Sequence, residues 1–180
     1  MATETHFGGQ VLRTAGIVLL CAALTFAQLL PVDTAPGLVP GPDLVLAVML
    51  AGTIRRPDLF PVWLVALVMV ASDLLAMRPP GLSAALVVVA TEWLRRRHRR
   101  FRGMGFGAEI AMVAILCTGL VTAQWLVLAL FVVAQPPLWA ELLQVPVTVA
   151  FYPLVVLLCR QVLGIRRPTA IDGYGRGARA

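Results

Sequence analysis

The arginines of this 180-residue chain are confined to short segments that alternate with long apolar stretches. Fourteen of the fifteen arginines lie in four clusters: Arg13, the pair Arg55 and Arg56, the run from Arg95 to Arg102, and the set from Arg160 to Arg179. All four clusters fall on one side of a membrane if the apolar stretches cross it in pairs, and Arg78 alone lies on the other side. Because cytoplasmic loops of membrane proteins are enriched in Lys and Arg, this pattern predicts a multi-pass bacterial inner-membrane protein with both termini in the cytoplasm.

The composition excludes a soluble globular domain. Hydrophobic residues make up 59% of the chain and charged residues 13%, whereas soluble domains carry about 25% charged residues. The net charge of +6 would suit a nucleic-acid partner, but membrane topology already accounts for the arginines. We therefore expect the basic loop that runs from Arg95 to Arg102 to attract anionic lipid, and we expect no nucleic-acid binding.

Six apolar stretches are candidate membrane helices, which predicts an all-α fold of six spans. They cover residues 14–30, 44–54, 59–77, 82–94, 110–133 and 138–163. A span needs about 20 apolar residues. The second stretch is shorter, so it must borrow residues from Leu38 onward or lie in a protected environment, and the fourth must extend into the first arginines. We expect one domain over residues 1–165, followed by a flexible cytoplasmic tail over residues 166–180.

Prolines mark two of these helices. Pro57 and Asp58 precede the third stretch, and a proline with a carboxylate is typical of a helix start. Pro146 and Pro153 lie in the last stretch. Because proline removes a backbone hydrogen bond, both are expected to kink that helix.

Asp73 is the most unusual polar residue, since a carboxylate at the centre of a span costs about 2.5–3.5 kcal/mol. Two interpretations are open. Asp73 could bond to backbone or to Arg78 and so fix the turn through Pro80, or it could hold a partner or ligand. The other acids of the apolar regions, Glu92, Glu109 and Glu141, lie near helix ends and are expected to be solvated.

No catalytic or metal-binding motif is present in the sequence. His6 and His98 are not near a candidate nucleophile, and none of the HExxH, GxSxG or GxxxxGK[ST] patterns occurs. The three cysteines, Cys21, Cys117 and Cys159, are far apart and form no CxxC pair. We therefore expect no enzymatic activity, no cofactor and no metal.

From Pro42 onward, about a third of the chain resembles the MreD family of rod shape-determining membrane proteins. That family typically shows Pro-Asp-Leu at the start of the second span, an Arg-Pro pair after it, Asp-Leu-Leu at the end of the third, and a Pro-Leu-Gly-like turn. The matching residues here are Pro42, Asp43 and Leu44; Arg56 and Pro57; Asp73, Leu74 and Leu75; and Pro80 with Gly81. The chain departs from the family where Ala71 and Ser72 replace a glycine and where the turn is Pro-Pro-Gly.

The resemblance implies a non-enzymatic scaffold of the cell-elongation complex. Its implied partners are MreC, MreB, RodA and a class B penicillin-binding transpeptidase, and its implied fold is that of the substrate-binding subunits of energy-coupling-factor vitamin transporters. The implied structural or partner-contact residues are Asp43, Arg56, Pro57, Asp73, Pro80 and Gly81. The alternative is a small-molecule uptake subunit, for which Asp73, Trp125, Gln135 and Trp139 are the candidate ligand-binding side chains near the outer face.

Overall fold

The computed structural model of the protein describes residues 2–29, 41–77, 79–101, 103–133 and 135–163, and within these ranges every regular element is helical. This confirms the all-α class. The elements are α1 (Ala2–Leu29), α2 (Leu44–Arg55), a 3₁₀ helix (Pro57–Leu59), α3 (Val62–Leu75), α4 (Leu82–Arg96), α5 (His98–Phe101), α6 (Phe106–Leu130), α7 (Leu138–Leu142) and α8 (Gln144–Leu163). The tail expected over residues 166–180 lies outside the described residues.

Among the described residues, two segments are long and apolar enough to cross a membrane: α6, and the segment Leu138–Gln161, which contains α7 and most of α8. Three further apolar helices of the described chain are shorter, namely Arg13–Leu29, Leu44–Arg55 and Val62–Leu75. The described part of the chain therefore has two segments with the length and composition of a membrane span.

Helix α2 lies at the centre of the helical bundle. Every residue from Val45 to Thr53 is buried, and so is Arg55 at its end. The helix packs against α1, α3, α4 and α8. Because the side chains of α2 face other helices on all sides, the helix is shielded without extra apolar residues. This is the protected environment that was one of the two expectations for the short second stretch.

The outer helices bury one face each. Helix α1 contributes Ile17, Cys21 and Thr25, spaced four residues apart and therefore on one side of the helix. Helices α3 and α4 pack closely as a hairpin, and α4 extends to Arg96, as its short apolar stretch predicted.

The predicted start of the third helix is wrong. Pro57 and Asp58 form a 3₁₀ turn, and α3 begins only at Val62, after Pro61 and with no side-chain cap. The residue before a proline avoids the helical conformation, and Phe60 has φ −116° and ψ 64°. A helix started at Pro57 therefore cannot continue through Pro61.

The last apolar stretch is interrupted at Leu143, three residues before Pro146, although Leu143 itself keeps helical dihedrals, with φ −62° and ψ −21°. It ends as α7 at Leu142 and restarts as α8 at Gln144. A proline ring clashes with the carbonyl four residues earlier, which for Pro146 belongs to Leu142. Pro146 thus lies in the first turn of α8, where its missing N–H is not needed, while Pro153 lies inside α8.

Gly52 provides a test of this packing. A Cβ added there would lie 2.0 Å from Cζ of the buried Phe60 ring. We predict that Gly52→Ala lowers the free energy of unfolding by about 1–3 kcal/mol through overpacking. The measurement is denaturation of purified protein in mild detergent, followed by circular dichroism.

Gly119→Ala is the matched control, because a Cβ at Gly119 meets nothing within 4 Å and alanine favours a helix by about 1 kcal/mol. Equal stability of the two variants would contradict the close approach of Phe60 to α2.

Candidate functional site

Asp73 connects the end of α3 to the start of α4. Its side chain is buried and accepts hydrogen bonds from the backbone N–H of Gly81, at 3.2 Å, and from the hydroxyl of Ser83. Gly81 has φ +91°, a left-handed conformation that favours glycine, and it is the N-cap of α4. Asp73 therefore holds the turn through Pro80 by backbone and hydroxyl contacts, while Arg78 lies outside the described residues.

Asp43 caps the central helix. Its Oδ1 accepts from the N–H of Leu46 at 2.9 Å, and its own backbone N–H donates to the hydroxyl oxygen of Thr148 at 2.9 Å. The first bond satisfies a free amide at the start of α2, and the second joins α2 to α8. Asp43 thus fixes the start of α2 and holds that start against α8.

Arg56 and Pro57 lie at the other end of α2. The N–H of Arg56 donates to the carbonyl of Gly52 at 2.7 Å, and Pro57 begins the 3₁₀ turn. The six candidate residues therefore do not converge on one site. Asp43, Asp73, Pro80 and Gly81 lie at the end of the bundle where α2 starts, and Arg56 and Pro57 lie at the end where it finishes.

A buried polar cluster joins three helices, and the sequence did not reveal it. Arg55 Nε donates to Glu109 Oε1 at 2.9 Å, and a terminal guanidinium nitrogen of Arg55 donates to Oε2 at 3.1 Å. The hydroxyl of Tyr152 donates to Glu109 Oε1 at 2.6 Å. Side-chain exposure is 9% for Arg55 and 1% for Glu109, so the solvated position expected for Glu109 is wrong.

This cluster connects α2, α6 and α8. Both carboxylate oxygens of Glu109 accept a hydrogen bond from the two-pronged guanidinium, which is the strong geometry for an arginine–carboxylate pair. Helix α6 starts at Phe106, four residues earlier than expected, so Glu109 lies in the first turn of the helix rather than before it. The Arg55 guanidinium also lies 5.9 Å from the centre of the Phe106 ring.

The basic loop after α4 is partly engaged by its own neighbours. Glu92 bonds to Arg95 at 3.1 Å and to Arg96 at 3.2 Å, and Arg95 also donates to the carbonyl of Phe60. The Arg97 guanidinium lies 4.3 Å from the centre of the Trp93 ring. Glu92 is partly exposed, as expected, and Arg96 and Arg97 face outward.

A cavity of about 520 Å³ lies at the opposite end of the bundle, bordered by α2, α3, α4, α6, α7 and α8. Gln135 lines it, as does Glu141, but Asp73, Trp125 and Trp139 do not. Trp125 instead donates through its indole N–H to the carbonyl of Pro136 at 3.1 Å, and Trp139 is 59% exposed. Of the four ligand-binding candidates, only Gln135 reaches the cavity.

The described residues bring no three His, Cys, Asp or Glu side chains into an arrangement that could hold a metal ion. Cys21, Cys117 and Cys159 are all buried thiols. In comparisons with known proteins, no family model, no curated protein and no solved structure matches this chain. The chemistry of the site therefore follows from the geometry of its residues and not from a known relative.

We predict that Glu109→Ala strongly destabilises the protein. The substitution leaves the Arg55 guanidinium buried without its carboxylate, a change that typically costs about 3–5 kcal/mol. Thermal unfolding in detergent measures the loss. Glu92→Ala is the matched control, because its ion pairs are partly exposed and contribute at most about 1 kcal/mol.

The double variant Arg55→Met with Glu109→Leu removes both charges and should recover most of the stability that Glu109→Ala loses. A loss in Glu109→Ala no larger than that in Glu92→Ala would contradict the buried pair.

Proposed function

We propose that the chain is a non-enzymatic scaffold of the bacterial inner membrane that acts in the cell-elongation complex, as its resemblance to the MreD family implies. The observation that carries the proposal is the position of the family-like residues. Asp43 caps α2, and Asp73 holds the Gly81 turn through buried bonds. The residues that match the family thus set the helix ends of the bundle, which is what a scaffold without a catalytic site requires.

The proposed topology has six spans and both termini in the cytoplasm. Two arginine-bearing segments support it, since Arg55 ends α2, Arg95 lies in the last turn of α4, and Arg95 donates to the carbonyl of Phe60, five residues after Arg55. These basic residues therefore share one end of the bundle. The positive-inside rule makes that end cytoplasmic. The proposed fold resembles the six-helix substrate-binding subunits of energy-coupling-factor transporters.

We propose that α6 is the surface that receives the transmembrane helix of MreC. Only 11% of the residues in its most apolar segment are buried, against 33% for the last helix. Its exposed side carries the small residues Ala111, Thr118 and Gly119. Small residues let two helices approach closely in a membrane, where packing rather than the hydrophobic effect drives association.

The other proposed contacts follow from the two ends of the bundle. At the cytoplasmic end, Arg96 and Arg97 face outward and suit anionic lipid headgroups or the MreB filament. RodA and the class B transpeptidase complete the proposed complex, with MreC as the link to them.

A second candidate function is a substrate-binding subunit for vitamin uptake, and the cavity of about 520 Å³ favours it. Pockets of roughly 300–1,000 Å³ are the usual size for small ligands. The two functions differ in their partners, because an uptake subunit needs a transmembrane coupling protein and ATPases.

The test is recovery of partners with the tagged full-length protein from native membranes in mild detergent, read by quantitative mass spectrometry. The scaffold role predicts MreC, RodA and the transpeptidase. Recovery of a coupling subunit with ATPases, in place of these proteins, would overturn the scaffold role and support uptake.

Gly119→Leu sharpens the same test. A Cβ at Gly119 meets no atom of a neighbouring element within 4 Å, and Gly119 is exposed, so the bundle should fold normally while the closest approach of a second helix is blocked. We expect MreC recovery to fall several-fold. Ala85→Leu, on the exposed side of α4, is the matched control and should leave MreC recovery at the wild-type level.

A further inference from the structure

We propose that the cavity bordered by α2, α3, α4, α6, α7 and α8 binds a small amphipathic amine, with its ammonium group at the mouth beside Glu141 and its apolar body below. The cavity volume of about 520 Å³ lies within the range of small-molecule sites. This proposal goes beyond the scaffold role and does not depend on it, since it concerns the purified chain alone.

Most side chains that line the cavity are apolar. Along α6 the lining runs from Cys117 to Leu128, which at 1.5 Å per residue is a depth of about 16 Å. Leu46, Met69 and Val87 line the cavity from α2, α3 and α4. The surface accepts an aromatic or aliphatic group by burial of apolar area.

The mouth of the cavity is rich in hydrogen-bond acceptors. The acid at this end is Glu141, whereas the other acid of the described lining, Asp43, caps α2 deeper in the cavity. Gln135 donates its amide N–H to the carbonyl of Trp125 at 3.1 Å, but its Oε1 is buried and has no hydrogen-bond partner within the described chain. A buried acceptor without a partner is costly, and a ligand N–H would satisfy it.

The acceptors and the negative charge together select the ligand class. A cation with N–H donors complements Glu141 and Gln135, an anion is repelled, and a neutral alcohol lacks the charge. The apolar depth adds the requirement for a hydrophobic body. The ligand is thus a protonated amine attached to an aromatic or alkyl group.

The test uses three probes that share one apolar body: 4-phenylbutylamine, 4-phenylbutanol and 4-phenylbutyrate. The full-length protein, in nanodiscs of zwitterionic lipid, is titrated with each probe, and the dissociation constant is taken from the concentration-dependent rise in Tm. We expect the amine to bind at least about tenfold more tightly than the alcohol, since one favourable charge contact is worth that much. We expect no saturable binding of the carboxylate.

Three variants locate the site. Glu141→Gln should weaken amine binding by about tenfold and leave the alcohol unchanged. Val121→Trp fills the cavity and should abolish binding of both probes. Leu126→Trp adds the same side chain on the exposed side of α6, where Leu126 is 57% exposed, and should bind as the wild type does.

Equal binding of all three probes, or amine binding that survives Val121→Trp, would overturn the proposal, because either result means partition into lipid or a surface contact. Recovery of MreC from native membranes is a separate measurement. Failure of amine binding with normal MreC recovery therefore counts against the cavity ligand alone.

Discussion

The bundle depends on one buried ion pair, that of Arg55 with Glu109. The guanidinium comes from the end of the central helix, the carboxylate from the start of α6, and Tyr152 of α8 donates a further hydrogen bond to the carboxylate. A buried charge is tolerated only when its partner is fixed in good geometry. The three helices therefore cannot shift along one another without exposing an unpaired charge to an apolar interior. This fixes the depth of α2, α6 and α8 relative to each other.

The two ends of α2 differ in charge and in packing. The end with Arg55 gathers the basic residues in the last turns of α2 and α4, and their charge is complementary to anionic headgroups. The end with Asp43 is held by bonds to Leu46 and Thr148, and next to it the helices separate enough to leave the cavity. Asp73 closes the neighbouring turn without lining the cavity, so its role is to position Gly81 and Ser83. The proposed scaffold contacts and the proposed ligand site thus lie at opposite ends of one helix.

The sequence predicted local features well because they depend on neighbouring residues. The helical class and the extension of α4 into its arginines followed from apolar length and charge. The burial of Glu109 could not be predicted, since it depends on Arg55, 54 residues earlier, and on the choice of Phe106 as the start of α6. The interruption at Leu143 comes from the clash between the ring of Pro146 and the carbonyl of Leu142. Apolar length alone does not show where that clash ends the helical hydrogen bonding. The cavity arises from six elements together, so no single stretch of sequence could indicate it.

The central claim is a membrane bundle whose basic end faces the cytoplasm and whose cavity faces outward. Labelling of single cysteines with a charged maleimide that does not cross membranes tests it directly, in a variant with Cys21, Cys117 and Cys159 replaced by alanine. Gly41 and Gly103 are exposed, lie near opposite ends of the bundle, and have open space around them. The account predicts that spheroplasts label Gly41→Cys at once and label Gly103→Cys only after lysis. Labelling of both positions before lysis, or of Gly103→Cys alone, would contradict it.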